Sequence, residues 1–206
     1  MLLAVIVGVS LCVVCSSHSS NSQQAAESNK QAMYAYYHQS NLSYAERSAN
    51  AIKLLDQAIK TDSNYFDAYW NKFGLQAEAG EFENALVTGK EMIRLKPEEA
   101  HIYNETGMVY EKLGDTASAR RCFRQALGLC RDKTQWESEG TSYRVQTQED
   151  KAVALILLNK QDEGRYILHD LYETSVNVER KQHLLILMNM KRSDLVAGKT
   201  DTVISF

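Results

Sequence analysis

Residues 100–133 read AHIYNETGMVYEKLGDTASARRCFRQALGLCRDK, and the spacing within them decides the fold. A helical run closes at Gly114-Asp115, and a second run carries Ala119, Phe123 and Ala126 at helical spacing. Glycine after a helix suits the left-handed C′ position, so the pattern is helix, short turn, helix. Small residues at Gly107, Ala119 and Ala126 permit close approach of helices, and Tyr103, Tyr110 and Phe123 fill the space between them. A shift of 34 lays residues 66–99 on this stretch, with Tyr69 on Tyr103, Gly80 on Gly114 and Ala85 on Ala119. A further shift lays Ala51 on Ala85 and Ala58 on Met92. A fixed period of this kind marks stacked units, none of which can bury its apolar face alone.

Numbered from Ala100, the unit has Tyr103 at position 4, Gly107 at 8, Tyr110 at 11, Ala119 at 20, Phe123 at 24 and Ala126 at 27. These residues resemble the tetratricopeptide repeat, and Thr106 and Arg131 depart from it. Tyr69, Gly80, Ala85 and Pro97 carry the resemblance in the preceding unit, where Lys72, Phe73, Gln76 and Gly89 do not. The resemblance implies an all-α fold, a right-handed α-solenoid of antiparallel helix pairs with three to four repeats and a closing helix.

Working outward, the repeats are expected over about 30–173, as units 32–65, 66–99, 100–133 and 147–173 with an irregular insert at 134–146. Ser43-Tyr-Ala-Glu46 forms a capping box ahead of Ala51, Leu55 and Ala58. Pro97, the single proline, falls between helices, where its missing N–H costs least. Apolar residues 183–190, after the candidate cap Asn177, predict a capping helix within 174–192, followed by a tail over 193–206.

Residues 2–15 are nearly all apolar, and Glu27 is the first charged residue. A bilayer-spanning helix needs about 20 apolar residues, so the stretch suits the apolar region of an export signal better than an anchor. Residues 1–20 are therefore expected to be a signal peptide or lipoprotein signal, and 21–29 a flexible tether. Cys15 closes the apolar run as a candidate lipidation site, although Val13 and Val14 stand where small residues are expected and no Lys or Arg precedes the run. An ordinary cleaved signal and a retained anchor are the alternatives. The expected location is exported, periplasmic or in the cell envelope, with membrane contact only through the N-terminus.

The 206 residues are 44% hydrophobic and 24% charged, with a net charge of −3, which is globular and gives no electrostatic case for nucleic acid. Cys122 and Cys130, eight apart on one helix, sit about 12 Å apart along its axis and cannot bridge. No phosphate-cradling glycine loop, nucleophile elbow or paired metal-ligand motif is present, and the five histidines are dispersed. No cofactor, metal or catalytic residue is expected, and the chain reads as a non-enzyme.

The resemblance implies a groove lined by positions 2, 5, 9 and 12 of the first helices. These are Asp67, Trp70, Gly74 and Ala77 in one unit, and His101, Asn104, Met108 and Glu111 in the next, with Tyr36 at position 5 of the first. A register one residue different would make Trp70 a core residue. The mixture of aromatic, small and polar side chains suits a protein or peptide partner. Two functions follow: a scaffold or adaptor, or an accessory recruiting subunit of an envelope enzyme or uptake complex.

Overall fold

Helix ends, more than helix middles, organise this chain. Ser43 opens one helix with a reciprocal box, its Oγ accepting from the Glu46 N–H (3.3 Å) while the Glu46 carboxylate accepts from the Ser43 N–H (2.9 Å). Asp115 and Asn177 open two others by accepting from the N–H of Ser118 (2.9 Å) and Arg180 (2.8 Å). Gly80 (φ 75°), Gly114 (φ 81°) and Asn159 (φ 65°) each close a helix in the left-handed conformation. The following N–H then reaches back to the last turn, as Glu81 to Gln76 O, Asp115 to Tyr110 O and Lys160 to Leu155 O.

The computed structural model describes residues 3–130 and 141–198, with side chains over 20–130 and 145–198. The helices are α1 (Leu3–His38), α2 (Tyr44–Thr61), α3 (Phe66–Glu78), α4 (Phe82–Leu95) and α5 (Ala100–Lys112). They continue as α6 (Thr116–Leu129), α7 (Thr141–Leu157), α8 (Gln161–Thr174), α9 (Val178–Asn189) and α10 (Arg192–Ala197). Among the described residues there is no strand. The all-α fold expected from the repeat pattern is the one found.

The second helices keep strict register. Helices α2, α4 and α6 end at Thr61, Leu95 and Leu129, each 34 residues from the next. Their small position is Ala51, Ala85 and Ala119, and all three are buried. So are Leu55, Gly89 and Phe123 one turn on, then Ala58, Met92 and Ala126. The first helices drift. Helices α3 and α5 end 34 apart, at Glu78 and Lys112, but α1 ends at His38, 40 before Glu78. Helices α7 and α8 end 45 beyond α5 and α6, so the extra residues before the fourth unit number eleven rather than the thirteen of the expected insert at 134–146. Residues 134–140 of that insert lie outside the described residues, and 141–146 open α7.

The chain divides into two compact units, Met1–Asn84 and Ala85–Phe206. In the first, α1, α2 and α3 close on a core of Ala25, Ala32, Ala51, Leu55, Ala58, Ala68 and Leu75. Asn71 Nδ2 donates to Asn29 Oδ1 (2.9 Å) and the Tyr36 hydroxyl to Glu78 Oε2 (2.8 Å), both across 42 residues, so α1 and α3 run parallel. In the second, Phe123, Ile156, Leu168, Leu184, Leu187 and Leu195 centre the main core.

Two expected segments differ, and a third is found as expected. Residues 21–29, expected as a flexible tether, are the middle of α1, because Ala25 continues the alanine face of Ala32 and Ala35 into the core. The capping helix expected within 174–192 is α9, and α10 forms within what was expected to be tail. Residues 199–206 of that tail lie outside the described residues.

Candidate functional site

The fold tests which candidate groove residues stand open. In the first unit, Tyr36 was placed at position 5 by an ungapped period. The longer first unit moves it: Tyr36 stands two residues before its helix end, as Gln76 and Tyr110 do, which is position 11. There it acts as a joint. Its hydroxyl donates to Glu78, its carbonyl accepts from Arg47 Nη1 (3.2 Å), and its ring meets those of Tyr37 (5.0 Å) and Tyr44 (6.0 Å). Burial, followed by its bonds to Tyr44 and Glu78, holds the phenol well above its ordinary range.

Trp70 is half-buried, and its ring stacks on Phe66 with centroids 6.3 Å apart and planes inclined by 26°. Its register follows from its neighbour. The Tyr69 hydroxyl donates to Ser63 O (3.1 Å), and the Tyr103 hydroxyl makes the same bond to Pro97 O (3.0 Å). Tyr69 is thus the position-4 anchor and Trp70 holds position 5. Asp67 is exposed and accepts from the Tyr65 hydroxyl (3.4 Å). Tyr34, Tyr37 and Tyr44, which the motif positions pass over, are 66%, 63% and 39% exposed around the α1–α2 junction. The aromatic run Tyr34-Ala-Tyr36-Tyr37-His38 was the available signal.

In the second unit the candidates are largely covered. Asn104 is 2% exposed and its Nδ2 donates to Asp150 O of α7 (3.0 Å). Met108 packs against the core that includes Leu195 of α10. Glu111 accepts from Arg192 Nη2, also of α10. His101, like Met108 and Glu111, is half-buried, and burial lowers its pKa against the opposing pull of Glu99, whose carboxylate is 3.7 Å away. Positions 5, 9 and 12 of the third unit therefore face α7 and α10 rather than open solvent.

That face is acidic. Burial pushes the Glu105 and Asp150 carboxyls up to about 7, with Glu149, Glu99 and Glu105 adding to the shift at Asp150. Glu149 in turn holds Arg180 (2.9 Å) and His183 (2.5 Å) of α9. Cys130 is buried and Cys122 half-buried, and burial raises both thiols, Cys130 to about 12, which is the opposite of a nucleophile's tuning. Among the described residues no group of three His, Cys, Asp or Glu is placed to hold a metal. Cys15 lies in the part of α1 whose side chains are outside the described residues.

This architecture is that of a helical repeat protein. The tetratricopeptide repeat family model matches residues 100–133, the stretch whose spacing set the period. Among solved structures, the chain is similar to TTC0263, a thermophilic TPR protein of Thermus thermophilus, at 17% identity over 85% of this chain and 87% of that one, with a TM-score of 0.51. YrrB, described as a TPR protein with an unusual peptide-binding site, is 16% identical over 87% of this chain and 91% of that one, with a TM-score of 0.40. No curated protein matches the chain. The family match covers this one unit, and the structural likeness, at such identities, concerns the fold alone.

Proposed function

We propose that the chain is a non-enzymatic adaptor that binds a protein or peptide on the face of α3 that carries Asp67 and Trp70, and that it is exported and held at a membrane by its N-terminus. The observation that carries the binding reading is Trp70 at position 5, half-exposed and stiffened by its stack on Phe66, beside the exposed Asp67. Rigid aromatics dominate the energy of such contacts, and truncating a hot spot costs about 2 kcal/mol or more. Trp70→Ala is therefore expected to abolish partner capture from solubilised membranes, scored by mass spectrometry, with the thermal melt nearly unchanged. A loss of about 3–5 kcal/mol in stability would instead make Trp70 a core residue.

The tethering reading rests on the apolar run before Cys15. Cys15 and Ala25, the first wholly buried residue among the described side chains, are ten apart on one helix, about 15 Å of axis, so an anchored chain would hold its repeats close to the bilayer. Labelled palmitate should enter the chain and be lost in Cys15→Ser but not in Cys12→Ser. Equal labelling of both variants would remove Cys15 from the reading. Among the described residues no helix is long and apolar enough to cross a membrane.

A further inference from the structure

The second unit's inner face is occupied by the chain's own C-terminal segment, and the way that segment sits describes a ligand. Helix α10 packs on both α5 and α7. Arg192 reaches two anchors at once: its Nη2 donates to Glu111 of α5 and its Nε to Leu157 O at the end of α7 (2.8 Å). One helical turn on, Leu195 is 6% exposed within the core, with Val196 and Met108 partly buried against the same cluster. The backbone turns onto this face at Met190-Lys191: Gln161 Nε2 of α8 holds Met190 O (2.9 Å), and Asp194 receives the Lys191 N–H (3.0 Å).

We propose that the face formed by α5 and α7 is a binding site for a short peptide segment presenting an arginine and, three residues later, a leucine, with α10 as its built-in occupant in the free protein. The proposal deepens the adaptor reading and rests on it for the existence of an outside partner. Charge complementarity supports it. Glu111 on the face pairs with Arg192 of the occupant, and the occupant's own carboxylate, Asp194, is turned back onto the Lys191 N–H. The planar guanidinium suits a site offering one carboxylate and one carbonyl, which a lysine would fill less well. The occupant is also short. Six residues with one buried leucine and one half-buried ion pair make few contacts, so α10 belongs to the weakly held end of the fold and can be displaced. Being tethered, it competes at high effective concentration, and an outside segment binds only by the fraction of time that α10 is away.

The test uses the full chain. Leu195→Asp and, separately, Arg192→Glu should release α10 while far-UV circular dichroism stays that of the wild type. The probe is a capped peptide of residues 191–198, KRSDLVAG, titrated to roughly millimolar concentration while the Met108 methyl and the α5 and α7 amides are followed by NMR. Both variants should bind it at least ~10-fold more tightly than the wild type, and adding Glu111→Gln to Leu195→Asp should remove that gain. Equal binding by the wild type, or folded variants that do not bind, would overturn the proposal. Should either variant lose its fold, native-state hydrogen exchange of the wild type decides: the Leu195 and Gly198 amides should exchange well before the Met190 amide, and concerted exchange overturns it. Peptide binding by the variants without any partner captured from membranes would leave this inference standing and sink the adaptor reading alone.

Discussion

Gly164→Ala separates repeat logic from packing logic, because the two give opposite signs. Gly164 stands at the fourth unit's equivalent of Ala51, Ala85 and Ala119, three residues into the helix after α8 opens at Gln161. Repeat consensus therefore recommends alanine there, and helix propensity alone rewards it by about 0.5–1 kcal/mol. The structure forbids it. A β-carbon on Gly164 would lie 2.6 Å from Ala152 O and 2.7 Å from Ile156 Cγ1. The carbonyl belongs to the interior of α7, and Ile156 is β-branched and 1% exposed, so neither yields without moving the α7–α8 contact. Overpacking of this kind costs about 1–3 kcal/mol, which exceeds the propensity gain. The expected net is a destabilisation of about 1–2 kcal/mol, or a fall of roughly 2–8 °C in Tm for a chain of this size. The assay is urea unfolding followed by circular dichroism, with the midpoint moving and the slope held. Gly74→Ala is the control, since a β-carbon there meets nothing within 4 Å, and it should gain about 0.5–1 kcal/mol. A rise in the Gly164→Ala midpoint would refute the close approach of α7 and α8.

The other expectations concern a turn and a titration. Asn159 occupies the left-handed position held by Gly80 and Gly114 in the earlier units, so Asn159→Gly should leave Tm nearly unchanged while Asn159→Val costs about 1–2 kcal/mol; equal melts for the two variants would deny the left-handed turn. Burial raises Asp150 from 3.8 to about 7, so the folded chain holds more protons than the unfolded one between those values. Its contribution to stability is complete below the lower value and declines as pH rises to the upper one. Asp150→Asn should flatten that decline, giving a higher urea midpoint than the wild type at about pH 8 and a smaller difference at about pH 5. A wild-type midpoint that climbs over this interval, with the variant climbing in parallel, would show that Asp150 is not the buried acid.

Much was legible before any coordinates. The small and large residues of α2, α4 and α6 recur at 34; α2 packs on α1 and α6 on α5, and a contact between neighbouring helices leaves a local signature. Gly80 and Gly114 were equally readable, since a left-handed helix end narrows the choice of residue wherever it occurs. The capping box at Ser43 declared itself in the same way. What the period could not carry was the effect of changes in length. Six extra residues before the end of α2 slid Tyr36 from groove to joint, and eleven before α7 hid the kinship of Asn159 with the turn glycines. A shift of constant length cannot see across either.

The covered face of the second unit belongs wholly to tertiary structure. Asn104 was read as an open groove residue, and it is buried by Asp150, 46 positions away in a helix whose register the period had lost. Glu111 was read likewise, and it is paired with Arg192 across 81 residues. Contacts at such separations have no periodic trace: they depend on where one helix comes to lie against another, and the residues that make them are unremarkable in their own neighbourhoods. By itself, then, the amino-acid order determined which helices form, where they stop and which faces they bury, because propensity, capping and the spacing of small residues act over a few turns. Which of those faces stays open was decided only when α7 and α10 came to rest on α5.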